Sequence, residues 1–170
     1  MVIQAVANET LVANIQARFS ELAVSEFRGQ VRLTVARERF WDFITALHQD
    51  FGFDFLVDIT CVDYLNYRGA THRFGLVYSL VNIETNDRLF VRLMLDEPDL
   101  EVPSVVAIWE GANWLEREVY DMFGISFRGH PDLRRILMPD EFAAYPLRKD
   151  YPLQGRGERH NFTQIARGDA

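Results

Sequence analysis

Cysteine is almost missing: Cys61 is the only one among 170 residues. One thiolate cannot hold an iron–sulfur cluster or a four-cysteine zinc site, and it leaves no partner for an internal disulfide. Lysine is equally scarce, since Lys149 is the only lysine among 18 basic residues. Arginine suits bidentate, buried or interfacial pairing better than lysine. No apolar run approaches the roughly 18 residues that a membrane-spanning helix needs. The N-terminus has neither the basic nor the apolar region of a signal peptide, which predicts an intracellular, reduced protein. The glycines form neither a dinucleotide fingerprint nor a phosphate-cradling loop, and the histidines His48, His72, His130 and His160 form no HxxxH or HExxH pair. The net charge is −7, and residues 1–115 carry all of it. Without a basic stripe to release counterions, nucleic-acid binding and polybasic membrane anchoring are excluded as expectations.

What is present fits one globular domain. Apolar residues make up 48% and charged residues 25%, enough for a core without staples. Leu11, Ile15, Phe19 and Leu22 keep helical spacing, predicting a helix over 9–27 with Asn8 as its N-cap. Residues 30–36 alternate through Val31, Leu33 and Val35, as a strand does. Helical spacing returns over 37–51 and stops at Gly52. Strands are predicted at 53–64, 74–83 and 88–95, the last two joined by a tight turn at Asn86-Asp87. Cys61 falls mid-strand, where an inert buried thiol is expected. A short helix is predicted at 104–110 and a longer one from Asn113 to about Phe123. The expected fold is α+β: a mostly antiparallel sheet of about four strands with helices packed on it.

Beyond Gly124 the character changes. Pro131, Pro139, Pro146 and Pro152 recur every six to eight residues, yet apolar residues from Phe127 to Leu153 lie between them. Proline prevents regular helix or central strand there. The chain is therefore divided into an α+β domain, residues 1–127, and an extended arm, residues 128–170, expected to lie on partner subunits. Arg134, Arg135, Arg148 and Lys149 would meet carboxylates or carbonyls at that junction.

The densest charged cluster is Glu116-Arg117-Glu118-Val119-Tyr120-Asp121. On a helix, Leu115, Val119 and Met122 share one face, and Arg117 and Asp121 stand four apart on the other. Its carboxylates, with His130, could do acid–base chemistry or ligate a metal. The same residues also read as a structural salt-bridge lattice. The residues themselves favour the lattice, because no second cluster completes a site.

Residues 116–137, Glu116-Arg117-Glu118-Val119-Tyr120-Asp121-Met122-Phe123-Gly124 onward through Gly129-His130-Pro131 to Arg134-Arg135-Ile136-Leu137, closely resemble the signature of the 30 kDa subunit of respiratory complex I, the NADH–quinone oxidoreductase of bacteria. Pro146-Leu147-Arg148-Lys149-Asp150-Tyr151-Pro152 and Val102-Pro103-Ser104 resemble that family too. The resemblance implies a peripheral-arm subunit on the cytoplasmic face of the inner membrane. Its partners would be the terminal-cluster subunit and the large quinone-chamber subunit. FMN and iron–sulfur clusters would belong to other subunits, with no cofactor in this chain. The complex would pass electrons from NADH to quinone and translocate protons. The quinone, ubiquinone or menaquinone, stays open, as does a relative fed by ferredoxin or sharing a hydrogenase module.

Overall fold

The computed structural model describes residues 9–158. Asn8 and His160 lie outside them. The elements follow in the order α1 (Glu9–Arg18), β1 (Ala23–Phe27), β2 (Gln30–Val35), a 3-10 turn (Arg37–Arg39), α2 (Phe40–Gln49), β3 (Phe55–Asp63), β4 (Phe74–Val81), β5 (Arg88–Leu95), β6 (Glu101–Pro103), α3 (Ala112–Phe123) and β7 (Ser126–Arg128). The fold is α+β, with helices on a mostly antiparallel sheet.

That sheet has five strands in the order β1-β2-β5-β4-β3. Only the β2–β5 pair is parallel. The fifth strand arises where a single long helix was expected. The helix ends at Arg18, and residues 23–27 pair with β2 instead. Arg28 and Gly29 both have positive φ, 52° and 76°, which makes the two-residue turn that matches strand twist. Gly29 between two short β-rich runs was the legible signal.

The buried face of the sheet is built by period-2 alternation. It carries Val31, Leu33 and Val35 from β2, Leu76, Tyr78 and Leu80 from β4, and Leu89, Val91 and Leu93 from β5. Phe40, Phe43, Ile44 and Leu47 of α2 and Ile15 of α1 complete the core. β3 keeps its inward pattern across a bulge between Leu56 and Asp58, so Ile59 and Cys61 still point in. Burial and the nearby Asp63 push the Cys61 thiol up to about 12, the inert thiol expected.

Two local expectations are corrected. The β4–β5 connection is a six-residue loop, 82–87, rather than a tight turn at Asn86-Asp87. Asn82 organises it by accepting from the amides of Glu84 and Thr85. Residues 104–110 form a single turn closed on the Val105 carbonyl, not a helix, and β6 precedes it. β6 and β7 form a small parallel pair beside the main sheet. From residue 129 to residue 157 the chain contains no helix and no strand, in keeping with its prolines.

Candidate functional site

α3 is amphipathic in an unusual way, because both of its sides are covered. Val119, Met122 and Phe123 join the core, yet Glu116 and Asp121 are also fully buried and Arg117 nearly so. Each charged residue has a separate task. Glu116 turns toward the chain that follows β6, accepting a hydrogen bond from Ser104 Oγ at 2.7 Å and from the Val105 amide at 2.6 Å. No cation pairs with it among the described residues. Burial therefore outweighs those two donors and lifts its carboxyl to about 7. The phenol of Tyr78, buried nearby and without a hydrogen-bond partner among the described residues, is raised by burial and by the Glu116 charge.

Asp121 turns the other way. Its Oδ2 accepts from three successive amides, Ile136, Leu137 and Met138, at 3.0, 2.7 and 2.9 Å. Its Oδ1 binds Arg135 at 2.7 Å. These donors outweigh burial and hold the carboxyl below the usual carboxylate range. Arg117 donates to the carbonyls of Arg134 and Arg135 at 3.1 and 3.5 Å and lies over the Trp114 ring. The expected Arg117–Asp121 ion pair is not formed. Both residues grip one extended segment of backbone, and Arg135 is the true partner of Asp121. Spacing on one helix showed that the two could touch; it could not show that a distant segment satisfies them better.

The rest of the charged motif serves the same end. Arg135 also reaches the Ala144 carbonyl at 3.1 Å, and Arg148 binds Glu97 at 2.8 Å and caps the Phe123 carbonyl. Arg148 sits over the Phe74 and Tyr145 rings. The Lys149 amide donates to Asp63, and Asp150 pairs with Arg73. Gly124 ends α3 at φ 74°, and a Cβ there would stand 2.5 Å from the Tyr145 ring. That approach requires glycine twice over. Gly129 has φ 85° with open space around it, so only its conformation matters. His130 Nδ1 accepts from the Asp132 amide, which leaves Nε2–H to donate to the Asn113 carbonyl at 3.1 Å. Pro131 is exposed in the same turn, and Pro146 is half-buried.

The structure thus brings Arg117, Asp121, Gly124, Arg135, Pro146, Arg148 and Asp150 to one seam, where residues 133–150 lie along the domain. It does not bring Glu116, Glu118, Asp121 and His130 together as an acid–base site. No hydrogen bond or ion pair joins any two of them among the described residues, and Glu118 is exposed. No group of three or more His, Cys, Asp or Glu residues is placed to hold a metal ion among the described residues. His48 packs on Trp109 and approaches the Phe53 carbonyl, as a core histidine would. Of the cations expected at a subunit junction, Arg135 and Arg148 are spent within the chain. Arg134 pairs locally with Asp132, and the Lys149 side chain is exposed. Asp63, Arg73 and Glu97 were missed. Only the charge of Asp63 at an inward position of an apolar strand hinted at them.

The fold and the seam define an α+β unit whose buried charges fasten its own C-terminal segment. The profile of the respiratory-chain NADH dehydrogenase 30 Kd subunit matches residues 33–157, and the chain belongs to that family. It is 45% identical over 150 residues to the C subunit of NADH-quinone oxidoreductase from Citrifermentans bemidjiense, covering 87% of this chain and 91% of that one. Subunit 5 of the enzyme from Thermus thermophilus is 47% identical over 131 residues, covering 74% and 63%. The solved trypsin-resistant fragment of Nqo5 superposes with a TM-score of 0.66 at 39% identity, over 74% of this chain and 98% of the fragment. A chain of an archaeal membrane-bound sulfane sulfur reductase shares the fold, with a TM-score of 0.76 at 24% identity over 95% of each chain.

Proposed function

We propose that this chain is a peripheral subunit of a proton-translocating NADH–quinone oxidoreductase, standing on the cytoplasmic face of the membrane and supporting the quinone-reducing module. It carries no cofactor itself. FMN and the iron–sulfur clusters of the electron path from NADH to quinone belong to neighbouring subunits, among them the terminal-cluster subunit and the large quinone-chamber subunit. The observation that carries this reading is the spending of the motif. Its buried carboxylates and arginines hold backbone, so the residues that resemble the family signature build a shape instead of meeting at a reaction centre. No described helix is long and apolar enough to cross a membrane, which fits a subunit attached through its neighbours. Lys149, Leu137 and Leu147 are exposed along the arm and can meet them, as can Arg134, exposed beside its local partner Asp132.

The test is a tag on the full chain in its native host. Solubilised membranes should yield one large assembly that contains the chain and reduces quinone with NADH. Recovery of the chain alone, or in an assembly without that activity, would overturn the reading. Separately, the purified chain should show no visible absorption and no stoichiometric iron, zinc or flavin.

A further inference from the structure

No helix covers the face of the main sheet opposite α1, α2 and α3 among the described residues; only the Tyr64 ring packs on it, over Gly75. α1, α2 and α3 occupy the inner side, and the C-terminal segment follows α3 there, with Arg148 over the inward ring of Phe74. A solvated sheet face normally alternates to polar residues. This one does not. Cross-strand register places Phe55, Val81 and Arg88 in one row, and Val77 and Arg92, with Thr60 and Thr34, two rows on. Phe90 stands between Ser79 and Arg32. On the edge strand Phe55, Val57 and Val62 are 51%, 46% and 40% exposed.

The charge on this face is just as uneven. Arg32, Arg88 and Arg92 rise from β2 and β5, and none forms an ion pair among the described residues. Arg92 has only the Thr34 hydroxyl at 3.3 Å, Arg32 only the Phe27 ring, and the Arg32 Nε is buried without an acceptor. Asp58, opposite Ser79 on β3, is the carboxylate that the strands set on this side. Yet residues 1–115, which include the whole sheet, account for all of the −7 charge. Carboxylates were available to this part of the chain, and apart from Asp58 they stand elsewhere.

We propose that this outer sheet face is a docking surface for an acidic, apolar-rich face of another polypeptide of the same assembly. It rests on the reading of the chain as an assembly subunit. Apolar side chains across β3 and β4 supply the contact area. The arginines supply three guanidinium forks, each suited to a carboxylate brought by the partner. A second copy of this chain does not fit, because a two-fold pairing of this face offers a single Asp58 to three arginines. Charge complementarity of this kind sets partner choice and register.

The experiment uses the full chain in its native host. A photo-crosslinking residue replaces Thr60, an exposed outward position on β3. In parallel, Arg88→Glu with Arg92→Glu is compared with Arg88→Lys with Arg92→Lys. The expected adduct is to one other subunit of the purified assembly, at a segment where Asp or Glu flank apolar residues. The charge-reversed chain, with an unchanged melting temperature, should be retained in the assembly about tenfold less, and the lysine variant largely retained. Should the reversed pair lower the melting temperature, Arg88→Glu alone, at an exposed position, makes the same test with a smaller loss. Adducts only to lipid, to nucleic acid or to a second copy of this chain overturn the inference. So does normal retention of the reversed chain. If the unmodified chain itself fails to co-purify with any assembly, the functional reading falls instead, which the tag on the parent chain reveals separately.

Discussion

Two carboxylates five residues apart on one helix show how position sets chemistry. Asp121 is ionised and satisfied by four donors; Glu116 is buried against two neutral donors. Removing the charge of Asp121 strands Arg135, 14% exposed, with no counter-ion. Asp121→Asn is therefore expected to cost about 3–5 kcal/mol, read from the denaturant midpoint of the purified chain. Glu116 behaves oppositely. Its folded carboxyl titrates near 7 and its unfolded one near 4.5, so the native state binds the extra proton between those values. Stability contributed by Glu116 is fully present below about pH 4.5, falls as pH rises through about 7, and is flat above. Glu116→Gln should remove that slope and gain up to about 3 kcal/mol at pH 8, with little change at pH 5. Midpoints measured from pH 5 to 9 check it, and a slope surviving in the variant would refute it.

At the scale of elements, the seam depends on Gly124. A residue with a Cβ there adopts a left-handed conformation at a cost of about 1–2 kcal/mol, and its Cβ also strikes Tyr145. Gly124→Ala should loosen the arm before it unfolds the sheet. Limited proteolysis should then cut between residues 139 and 153, while tryptophan fluorescence of the core, through Trp109, changes little. Protection equal to the parent chain would count against the seam. Much of this level was legible in the sequence. Periodicity placed α2, β2, β3, β4, β5 and α3, because each buries a face that leaves a period of its own. Residues 19–27 misled because apolar spacing compatible with a helix continued into a strand, and only the Arg28-Gly29 turn decides between them. β6 and β7 are three residues each, too short for any period. The cluster at 116–121 was legible as a dense charged motif, but its partners were not, since Glu116 meets the turn after β6 and Arg117 and Asp121 meet residues 134–138, stretches with no period to project.

For the molecule as a whole, the arm is part of the fold. A chain ending at Arg128 would leave Asp121 without its three amides and Arg135, and leave the Arg117 guanidinium without its carbonyls. Buried groups stripped of partners cost several kcal/mol between them. The truncated protein should melt at a clearly lower temperature in a thermal scan and fail to join the oxidoreductase assembly. Unchanged melting with lost assembly would mean that the arm acts on neighbours alone.

The sheet order also sets a timetable for synthesis. β2 finds its parallel neighbour only at residues 88–95, more than fifty residues downstream, and such distant pairings are slow to close. A nascent chain leaving the ribosome at about 5–20 residues per second carries the first hairpin for seconds before β5 emerges to receive it. The backbone that Asp121 and Arg117 hold, at residues 134–138, appears later still. A ribosome that stalls or terminates early therefore releases a chain whose buried carboxylate has nothing to bind, and whose core proteases can open. Closure of the interior therefore waits on residues 134–138, so that only copies extended past them hold Asp121 and Arg117 in place.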